Sequence, residues 1–589
     1  MKPIKKLFLA SFLVLSGYCF SQTTYFVNQR SGSNSFNGTS SSTPYKTIEK
    51  AVSQVSAGGT ILIMGAYIND SYNATYTYSG NINDAHIWHQ ENTIRINGLN
   101  GSAGQYITIK AYDSNTVLKG DGANIFRVTN SSYLKIENFN IYGEVERIPL
   151  FTALALQFLY RENGSTNTLR RVPLGTTDAQ VEQNYSTDGS LPLLNNVSRP
   201  SYTDTRGIYF SNVHHIDFTN NIVHDTPGNG FRVSNCDYIN IIGNEVYNTS
   251  RKSYSGTHGL VVTNADSKIQ GTPDTNTGYK IFIQKNKVHH NYNEIYSWSP
   301  SKTKITPKID EGKGISLQRN DIDDKGTATT NDDTGWLFGR ILVENNLTYW
   351  NGYSGLHSNT GLRIDFINNT AYLNSYTNTV TYASGDQSGK NIGMSAQGGN
   401  DNKFINNVIY IDNAWGGFPI SIADETNTEI SDNLIFGVNG SLNQDSNVTA
   451  IASNTTIGNP LFIDGSNFDF GIQQSSPAIG IAKKSVAPTD DFFGFTRDAN
   501  PDLGAVEYNP NLSTAEYIDD ASTKIYPNPF SDSIIIQSKQ PIQNIDLFTV
   551  TGQKVNGTQL KNNKLNLSNL KSGVYFLRIN QKTYKIIKK

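Results

Sequence analysis

Hydrophobic and polar residues alternate in short segments along much of this chain, and the segments recur. The clearest one is a glycine followed by alternating apolar positions, at Gly207, Gly230, Gly259 and Gly314, with a looser copy at Gly355. Alternation with a period of two predicts a β-strand that buries every second residue. The recurrence predicts that each repeat contributes one such strand.

A second alternating strand follows each of these segments and ends in asparagine. The shortest spacing between repeats, about 23 residues, is typical of one β-helix coil, whereas a propeller blade needs a repeat nearer 40. Stacked coils would align the asparagines in an internal ladder that bonds the turn backbone of neighbouring coils. The predicted ladder contains Asn221, Asn244, Asn286, Asn346, Asn369, Asn407 and Asn433, with Asn138 before them.

A ring side chain follows three residues after each asparagine of this predicted ladder, from Asn221 onward. Because coils stack in register, we expect these rings to form one parallel stack. The rings are His224, Tyr247, His289, Tyr349, Tyr372, Tyr410 and Phe436.

The predicted fold class is therefore all-β, a right-handed parallel β-helix. A solenoid of this kind needs covered ends. Thr43 and Pro44 fit the N-cap and first position of a helix, and the apolar residues that follow from Ile48 to Val55 have helical spacing. We predict an N-terminal capping helix here, followed by a strand at residues 60–63.

Composition and the N-terminus indicate an exported protein. Lysines precede a short apolar run, and Ser21 offers a cleavage site, so residues 1–21 are predicted to be a signal peptide. The alternative is a lipid anchor on Cys19, although Tyr18 before it departs from the usual pattern. Cleavage would leave Cys236 as one unpaired cysteine, predicted to be a small buried hydrophobe. A net charge of −2 favours neither nucleic acid nor anionic membrane, and no later segment predicts a membrane helix.

The chain from Tyr25 to about Tyr508 resembles secreted pectate-lyase-like β-helix proteins, especially family 9 polysaccharide lyases. The motifs that carry the resemblance are Pro44–Ile48, Gly228–Phe231, Glu311–Ile315, Asn459–Phe462 and Asp502–Ala505. Glu311–Ile315 is similar to the family's Asp-Gly-Asn-Gly-Ile coil, with two substitutions. The resemblance implies the fold; it says less about activity, because this fold carries lyases, hydrolases, epimerases and adhesins.

The C-terminal segment resembles the type A sorting domain of the type IX secretion system, a system of the Bacteroidetes. Lys524–Pro529 and Leu570–Ile579 carry this resemblance, and their alternation predicts a small β-sandwich. The predicted organisation is signal peptide 1–21, β-helix catalytic domain 22–508, linker 509–522 and sorting domain 523–589. The resemblance implies secretion, release or attachment at the cell surface, and the type IX secretion machinery as a partner.

Insertions at residues 143–205 and 290–338 flank the same middle coils, which predicts a cleft there. The positions before successive coil glycines would stack, bringing His258 and Lys313 together, and His357 would lie on the next coil. Lyase chemistry needs a base and a group that neutralises the substrate carboxylate. Family 9 lyases use a lysine base, so Lys313 is our candidate, with His258 and His357 as alternative bases or as donors to the substrate. Each of the three could equally be a solvated or structural residue.

Other residues are candidates for binding the substrate or a metal. Cations along a strand face suit a uronate polymer, which predicts roles for Arg232 and Arg319; the alternative for Arg232 is a salt bridge to Asp225 or Asp237. Aromatic rings in the second insertion could stack on sugars or pack the loop. These are Tyr292, Tyr296, Trp298 and Trp336. The resemblance implies Ca²⁺, and clustered carboxylates suit it, although a solvated acidic loop fits them equally well. The carboxylates are Asp310, Glu311, Asp321, Asp323 and Asp324.

The leading functional hypothesis is a secreted, monomeric polysaccharide lyase that cleaves an anionic, uronate-containing polysaccharide by β-elimination. A β-helix glycoside hydrolase acting on an acidic or sulfated polysaccharide is the alternative enzyme; it would use two carboxylates about 5 or 6.5–9.5 Å apart. A surface adhesin or glycan-binding solenoid is the alternative without catalysis. It would present a smooth polar face, without a cleft or a cluster of cations.

Overall fold

The computed structural model is almost entirely β-structure and contains two compact units, Met1–Glu507 and Tyr508–Lys589. It describes the chain at residues 22–69, 92–150, 153, 159–161, 169–171, 201–253, 256–271, 274–295, 311–320, 339–375, 392–412, 417–437, 443–444, 450–509, 523–526, 530–538, 542, 545–549, 554–555, 560–561, 563–579 and 582–589. The predicted signal peptide, most of both insertions and the predicted linker lie outside these ranges.

The first unit is a right-handed parallel β-helix whose coils stack in register. Its first face contains Asn92–Asn97, the early part of Asn124–Glu137, Arg206–Thr219 and Phe231–Ile242, then Leu260–Ala265, Ile315–Asn320, Leu356–Gly361, Ile392–Gln397, Phe418–Ala423 and Asn443–Gln444. Three strands, Asn124–Glu137, Arg206–Thr219 and Phe231–Ile242, are long enough to continue into the second face. The other strands of the second face are Thr24–Val27, Thr60–Ile63, Ile107–Ala111, Tyr279–Gln284, Arg340–Glu344, Ile364–Ile367, Lys403–Ile405, Thr428–Ser431 and Ala450–Ser453.

A third face of short strands closes each coil. Its strands are Ala66–Asn69, Val117–Gly120, Asn140–Tyr142, Ile222–His224, Glu245–Tyr247, Lys287–His289, Leu347–Tyr349, Thr370–Tyr372, Val408–Tyr410, Leu434–Phe436 and Thr456–Ile457. Alternate residues of all three faces point into one continuous core of isoleucine, valine, leucine and phenylalanine. The predicted fold class is confirmed, because the period-two pattern does bury one side of each strand.

The asparagine ladder runs inside the turns between the second and third faces. From Asn221 to Asn433, each side-chain amide donates to the oxygen of the next, at 2.9–3.1 Å. Each also donates to a backbone carbonyl of the preceding coil, as Asn244 does to Phe218 at 3.1 Å. The predicted ladder is confirmed for these residues, which are all fully buried and fully hydrogen-bonded.

Asn138 does not belong to the ladder, and its prediction was wrong by one residue. Phe139, which is 1% exposed, occupies the buried position, and its backbone N–H donates to Asn221 Oδ1 at 3.1 Å. Asn138 is exposed and has a φ of 63°. It is equivalent to Asn220, which has a φ of 56° and forms the tight turn before the ladder residue. Asparagine tolerates the left-handed region, so the same residue type serves both positions.

The predicted ring stack lies on the outer side of the third face. His224, Tyr247, His289 and Tyr349 are stacked with centroid distances of 4.5–5.1 Å. Tyr372, Tyr410 and Phe436 continue the column at 4.8–4.9 Å, with tilted planes. The C-terminal segment of the β-helix covers part of the stack with Phe462, Phe468 and Phe470. This cover explains why Tyr349 is buried while the rings on earlier coils are partly exposed.

The capping helix is present but begins later than predicted. It spans Ile48–Val52, and its N-cap is Thr47, whose side chain accepts a hydrogen bond from the backbone of Lys50. Thr43 is not the cap, because residues 43–45 are held in an extended conformation beside the first strand: the backbone N–H of Tyr45 donates to Phe26 at 2.8 Å. The strand Thr60–Ile63 has the predicted bounds.

The remaining described elements are short. They are the 3₁₀ turns Val145–Arg147, Ser201–Thr203 and Gly465–Asn467, the antiparallel pair Leu159–Arg161 and Leu169–Arg171, and the pair Phe462–Asp464 and Asp469–Ile472. Cys236 is buried and unpaired, as predicted, and burial raises the pKa of its thiol. The longest helix described has five residues, far too few to cross a bilayer.

The second unit consists of two antiparallel sheets around a common core. One sheet contains Thr523–Tyr526, Ser533–Ser538, Leu560–Lys561 and Lys564–Asn566, and the other contains Ile545–Thr549, Lys554–Val555, Gly573–Ile579 and Lys582–Lys588. Phe530, Ile534, Leu547 and Leu577 are fully buried between them. The predicted β-sandwich is therefore confirmed.

One buried carboxyl makes the stability of the β-helix depend on pH. Glu425 is fully buried, accepts hydrogen bonds from Asn402 and Thr428, and has one oxygen without a hydrogen-bond partner in the described structure. Burial raises its pKa to about 7. Because its unfolded pKa is about 4.3, ionisation costs stability as pH rises, and the penalty is complete above about pH 7.

We expect Glu425→Gln to flatten this pH dependence. The variant should gain on the order of 2–3 kcal/mol over the parent at pH 8. It should gain little at about pH 4, where the carboxyl is protonated in the folded protein and mostly protonated in the unfolded chain. Urea unfolding at both pH values measures the difference. Glu429→Gln is the control, since its carboxylate is partly exposed and paired with Lys483, which lowers its pKa. An equal difference at both pH values would contradict the assignment.

Candidate functional site

The predicted catalytic residues meet on the outer side of the first face. The backbone N–H of Lys313 donates to His258 Nδ1 at 3.3 Å, and the N–H of Gly259 donates to the carbonyl of Lys313 at 2.9 Å. Ser316, three residues after Lys313, pairs in the strand register with His357 on the next coil. The repeat therefore brings together three residues that are far apart in sequence, as the stacking of coils predicts.

Two glycines explain why Lys313 can occupy this position. Gly312 has a φ of 78°, a conformation that glycine adopts without steric cost. A Cβ on Gly314 would lie 2.5 Å from the carbonyl oxygen of Gly355 on the next coil. Larger residues at either position would push the coils apart, so both glycines fix the backbone on each side of Lys313.

Lys313 is 6% exposed and lies among groups that favour a positive charge. Its Nζ is 2.7 Å from Glu311 Oε2 and 4.9 Å from the centroid of the Tyr353 ring. A carboxylate and an aromatic face both attract an ammonium group. These contacts suit a role in which the ammonium neutralises a substrate carboxylate.

His258 is buried in a network that fixes its protonation. Nδ1 accepts from the backbone of Lys313, so in the neutral ring the proton is on Nε2. His258 Nε2 lies 2.7 Å from the side-chain amide of Gln318 and 3.5 Å from Glu311 Oε2. When the Gln318 amide is oriented with its oxygen toward the ring, that oxygen can accept the Nε2 proton. Burial, with Lys313 and Arg232 nearby, holds the pKa of His258 well below 6.5. Both ring nitrogens of His258 are therefore engaged by neighbouring groups.

His357 has the opposite arrangement, with one nitrogen left for chemistry. Its Nδ1 is 2.8 Å from Ser395 Oγ, and that hydroxyl donates to Ser354 Oγ at 2.9 Å. Ser395 therefore accepts from Nδ1–H, and Nε2 carries the lone pair. Nε2 forms no hydrogen bond with any residue described. Burial, followed by the nearby charge of Lys313, holds the pKa of His357 well below 6.5, so the ring is neutral at pH 7.

Arg232 is partly buried and lacks the alternative salt bridges. Asp237 pairs with Lys280 at 2.7 Å, and Asp225 is hydrogen-bonded to His224 and Asn248. Within the described structure, Arg232 Nε is buried without a hydrogen-bond partner. Burial, with Arg206 and then Arg319 among the nearby charges, lowers the pKa of Arg232. Arg319 is exposed at the end of the strand Ile315–Asn320.

A cavity of about 320 Å³ opens beside these residues. Glu311, Lys313 and His357 line one side, and the strands of the two following coils line the other. The described lining also includes Tyr353, Asn359, Ile392, Ser395, Ala396, Gln397, Ser421 and Ala423. A smooth solenoid face, expected of an adhesin, would have neither this cavity nor the adjoining cations.

Sequence reasoning missed the residues that orient the histidines. Gln318 and Ser395 contact His258 and His357, and Tyr353 lies under Lys313. Ser395 was detectable, because Gly393 begins another glycine–apolar repeat with Ser395 two residues later, equivalent to His357. The 38-residue spacing between these two positions obscured the repeat. Gln318 and Tyr353 carry no sequence signal of their own.

The calcium prediction has little support from the residues described. Asp310, Asp321, Asp323 and Asp324 lie outside the described residues, as do Tyr296, Trp298 and Trp336. Glu311 is described, but Lys313 and His258 already contact its carboxylate. No cluster of three or more acidic, histidine or cysteine ligands occurs in the described chain. Ca²⁺ binding by the acidic loop therefore stays a prediction.

The C-terminal unit identifies the export route. Residues 524–589 match the secretion system C-terminal sorting domain. Domains of this type mark proteins exported by type IX secretion to the cell surface or the exterior, which confirms the predicted localisation. The secretion machinery is therefore a partner of this chain.

Solved structures similar to the chain share the parallel β-helix. Pectate lyase Pel9A matches with a TM-score of 0.39 and 14% identity, over 82% of this chain and 96% of its own. The Azotobacter vinelandii mannuronan C-5 epimerase AlgE4 A-module gives 0.34 and 14%, over 68% and 87%. A GH136 lacto-N-biosidase from Eubacterium ramulus gives 0.36 and 11%, over 74% and 67%. The comparison with curated proteins gives no match.

Proposed function

We propose that this secreted protein is a polysaccharide lyase that cleaves a uronate-containing polymer by β-elimination. The observation that carries the proposal is the juxtaposition of a neutral His357 with a cationic Lys313 at one cavity. Elimination needs a base for the proton α to the carboxylate and positive charge to neutralise that carboxylate. His357 Nε2, which forms no hydrogen bond with any described residue, supplies the first, and Lys313 with Arg232 supplies the second.

The proposed reaction balances without a further reactant. His357 Nε2 takes the proton from C5 of the uronate, and the electrons of that C–H bond form the C4–C5 double bond. The C4–O4 bond breaks and its electron pair leaves on oxygen. A water molecule gives a proton to that oxygen, and the resulting hydroxide takes the C5 proton from His357, which restores both the water and the neutral base. Lys313 and Arg232 stabilise the charge that develops on the carboxylate, while Ser395 orients His357.

The hydrolase alternative has less support in the described residues. It requires two carboxylates on opposite sides of the scissile bond. Glu311 is the one acidic residue in the described cavity lining, and it is paired with Lys313. A screen of acidic polysaccharides for ultraviolet absorbance of unsaturated ends tests the choice. Lyase action creates this absorbance, whereas a hydrolase would create reducing ends without it.

The pH profile separates His357 from Lys313 as the base. With His357 as base, turnover should be constant near neutral pH and fall only below about pH 6.5, because the pKa of His357 lies well below that value. If a lysine were the base, turnover would instead keep rising with pH up to the usual lysine pKa of about 10.

We expect His357→Gln to reduce turnover roughly 10²–10⁴-fold. A rate that climbs steadily above pH 8 would contradict the assignment of His357.

A further inference from the structure

Among the described residues, the arginines that share one outward column of the first face all lie on the N-terminal side of Lys313. On the N-terminal side, the outward column of the strands runs in register through Arg95, Arg127, Tyr209 and Arg232. The guanidinium groups of Arg127 and Arg206 lie 5.9 and 5.2 Å from the Tyr209 ring centroid. Asp204, 3.6 Å from Arg206, compensates one of these charges. The remaining arginines present a row of cations, spaced by the coil repeat of about 4.8 Å or its multiples.

The column contains no arginine after Arg232 among the residues described. Its next positions in register are Val261, Ser316, His357, Ser395 and Ser421, and the adjacent column has Gln318, Asn359, Gln397 and Ala423. Hydroxyl and amide groups therefore replace guanidinium groups. His357, Ser395 and Ser421 of the first column line the cavity, as do Asn359, Gln397 and Ala423 of the second. The described lining contains a single cation, Lys313, already paired with Glu311.

The arginine column and the cavity lined by hydroxyl and amide groups are suited to different sugars. A carboxylate on the arginine side gains bidentate, charge-assisted hydrogen bonds. A carboxylate in the cavity would lose water without gaining a cation of its own, and Glu311 would repel it. Uncharged sugar hydroxyls, by contrast, can exchange hydrogen bonds with serine, asparagine and glutamine.

We propose that the substrate is a heteropolysaccharide in which a uronate is linked to an uncharged sugar. The uronate that loses its proton lies on the arginine side, with its carboxylate between Arg232 and Lys313. The uncharged sugar occupies the cavity beyond His357. This inference rests on the proposed lyase function and adds the identity of both neighbours of the scissile bond.

The test compares an alternating uronate–neutral polysaccharide with a homopolymeric polyuronate, using initial rates of unsaturated-end formation. We expect the alternating polymer to be cleaved at least tenfold faster. Equal or faster cleavage of the polyuronate would overturn the inference and leave the lyase assignment intact. Absence of unsaturated ends from every acidic polymer tested would overturn the lyase assignment, and this inference with it.

A pair of variants at Ser421 tests the cause of the preference. Ser421→Lys adds a cation to the cavity wall, and it should reduce the rate ratio between the two polymers about threefold to tenfold, the effect of one added ion pair of up to 1.4 kcal/mol. Ser421→Gln adds similar bulk without charge and should leave the ratio unchanged. An unchanged ratio in a folded Ser421→Lys protein would show that charge in the cavity does not decide the substrate. Affinities of the His357→Gln protein for both polymers report the same preference without turnover.

Discussion

Lys313→Ala is expected to lower turnover roughly 10²–10⁴-fold, the range for loss of a group that stabilises a transition state or transfers a proton. Lys313 is 6% exposed, contacts Glu311 and lies at the cavity wall. In the proposed complex its charge would stabilise the substrate carboxylate held between Lys313 and Arg232. A solvated surface lysine would change stability by less than about 0.5 kcal/mol and leave turnover intact. Initial rates on the cleaved polymer measure the effect.

Lys313→Arg distinguishes the two possible roles of this lysine. Arginine keeps the positive charge but cannot serve as a base near neutral pH. If Lys313 neutralises the carboxylate, the arginine variant should stay within about tenfold of the parent, because its charge still pairs with the substrate. Arg and Ala variants of equal, low activity would instead assign the base to Lys313.

Folding must be checked, since removal of Lys313 leaves Glu311 without its ion pair. Lys110→Ala, on the strand Ile107–Ala111 and away from the cavity, is the matched lysine control. It should retain the parent's turnover. A folded Lys313→Ala protein with near-parental turnover would remove Lys313 from the mechanism.

Asn346→Ala is expected to destabilise the β-helix by about 3–5 kcal/mol, because several buried hydrogen bonds lose a partner. Asn346 is fully buried and donates to Ile283, Glu344 and Asn369. Its side-chain oxygen accepts from both the backbone and the side chain of Asn286, at 2.9 and 3.0 Å. An alanine would leave these groups unsatisfied and out of reach of water.

Urea unfolding measures this effect, with Asn240→Ala as the control. Asn240 lies on the outward side of the strand Phe231–Ile242 and makes a side-chain hydrogen bond to Asp217 at 2.7 Å. Because water can replace that partner, the control should cost less than about 1 kcal/mol. Similar losses in both variants would show that the internal ladder contributes no more than a surface hydrogen bond.

Conservative replacement gives a second check on the ladder. Asn346→Asp keeps the size of the side chain but replaces a donor with an acceptor facing Ile283 and Asn369. It should also destabilise the protein strongly, and more so at neutral than at acidic pH, because a buried carboxylate is costly. Recovery of parental stability in this variant would mean that shape, and not hydrogen bonding, sets the requirement for asparagine.

The sequence by itself determined the coil and much of its interior. Strand alternation, the asparagine ladder and the ring stack follow from local periodicity, since a coil repeats the same backbone path and stacks equivalent residues. The same logic aligned His258, Lys313 and His357 across long gaps. Where neighbouring positions carry the same residue type, periodicity alone fails. Asn138 was assigned to the ladder for that reason, because both Asn220 and Asn221 are asparagines and the pattern does not say which of them it matches.

Only the tertiary structure decided what the aligned residues can do. The hydrogen bonds engage both ring nitrogens of His258 and leave His357 Nε2 without a hydrogen bond to any described residue. Both arrangements depend on Gln318 and Ser395 from other coils. The change from arginines to hydroxyls and amides along the first face also appears only when coils separated by long loops are placed in register. Burial, proton positions and the surrounding charge are properties of packed neighbours, so a repeat pattern can locate this site but cannot assign its chemistry.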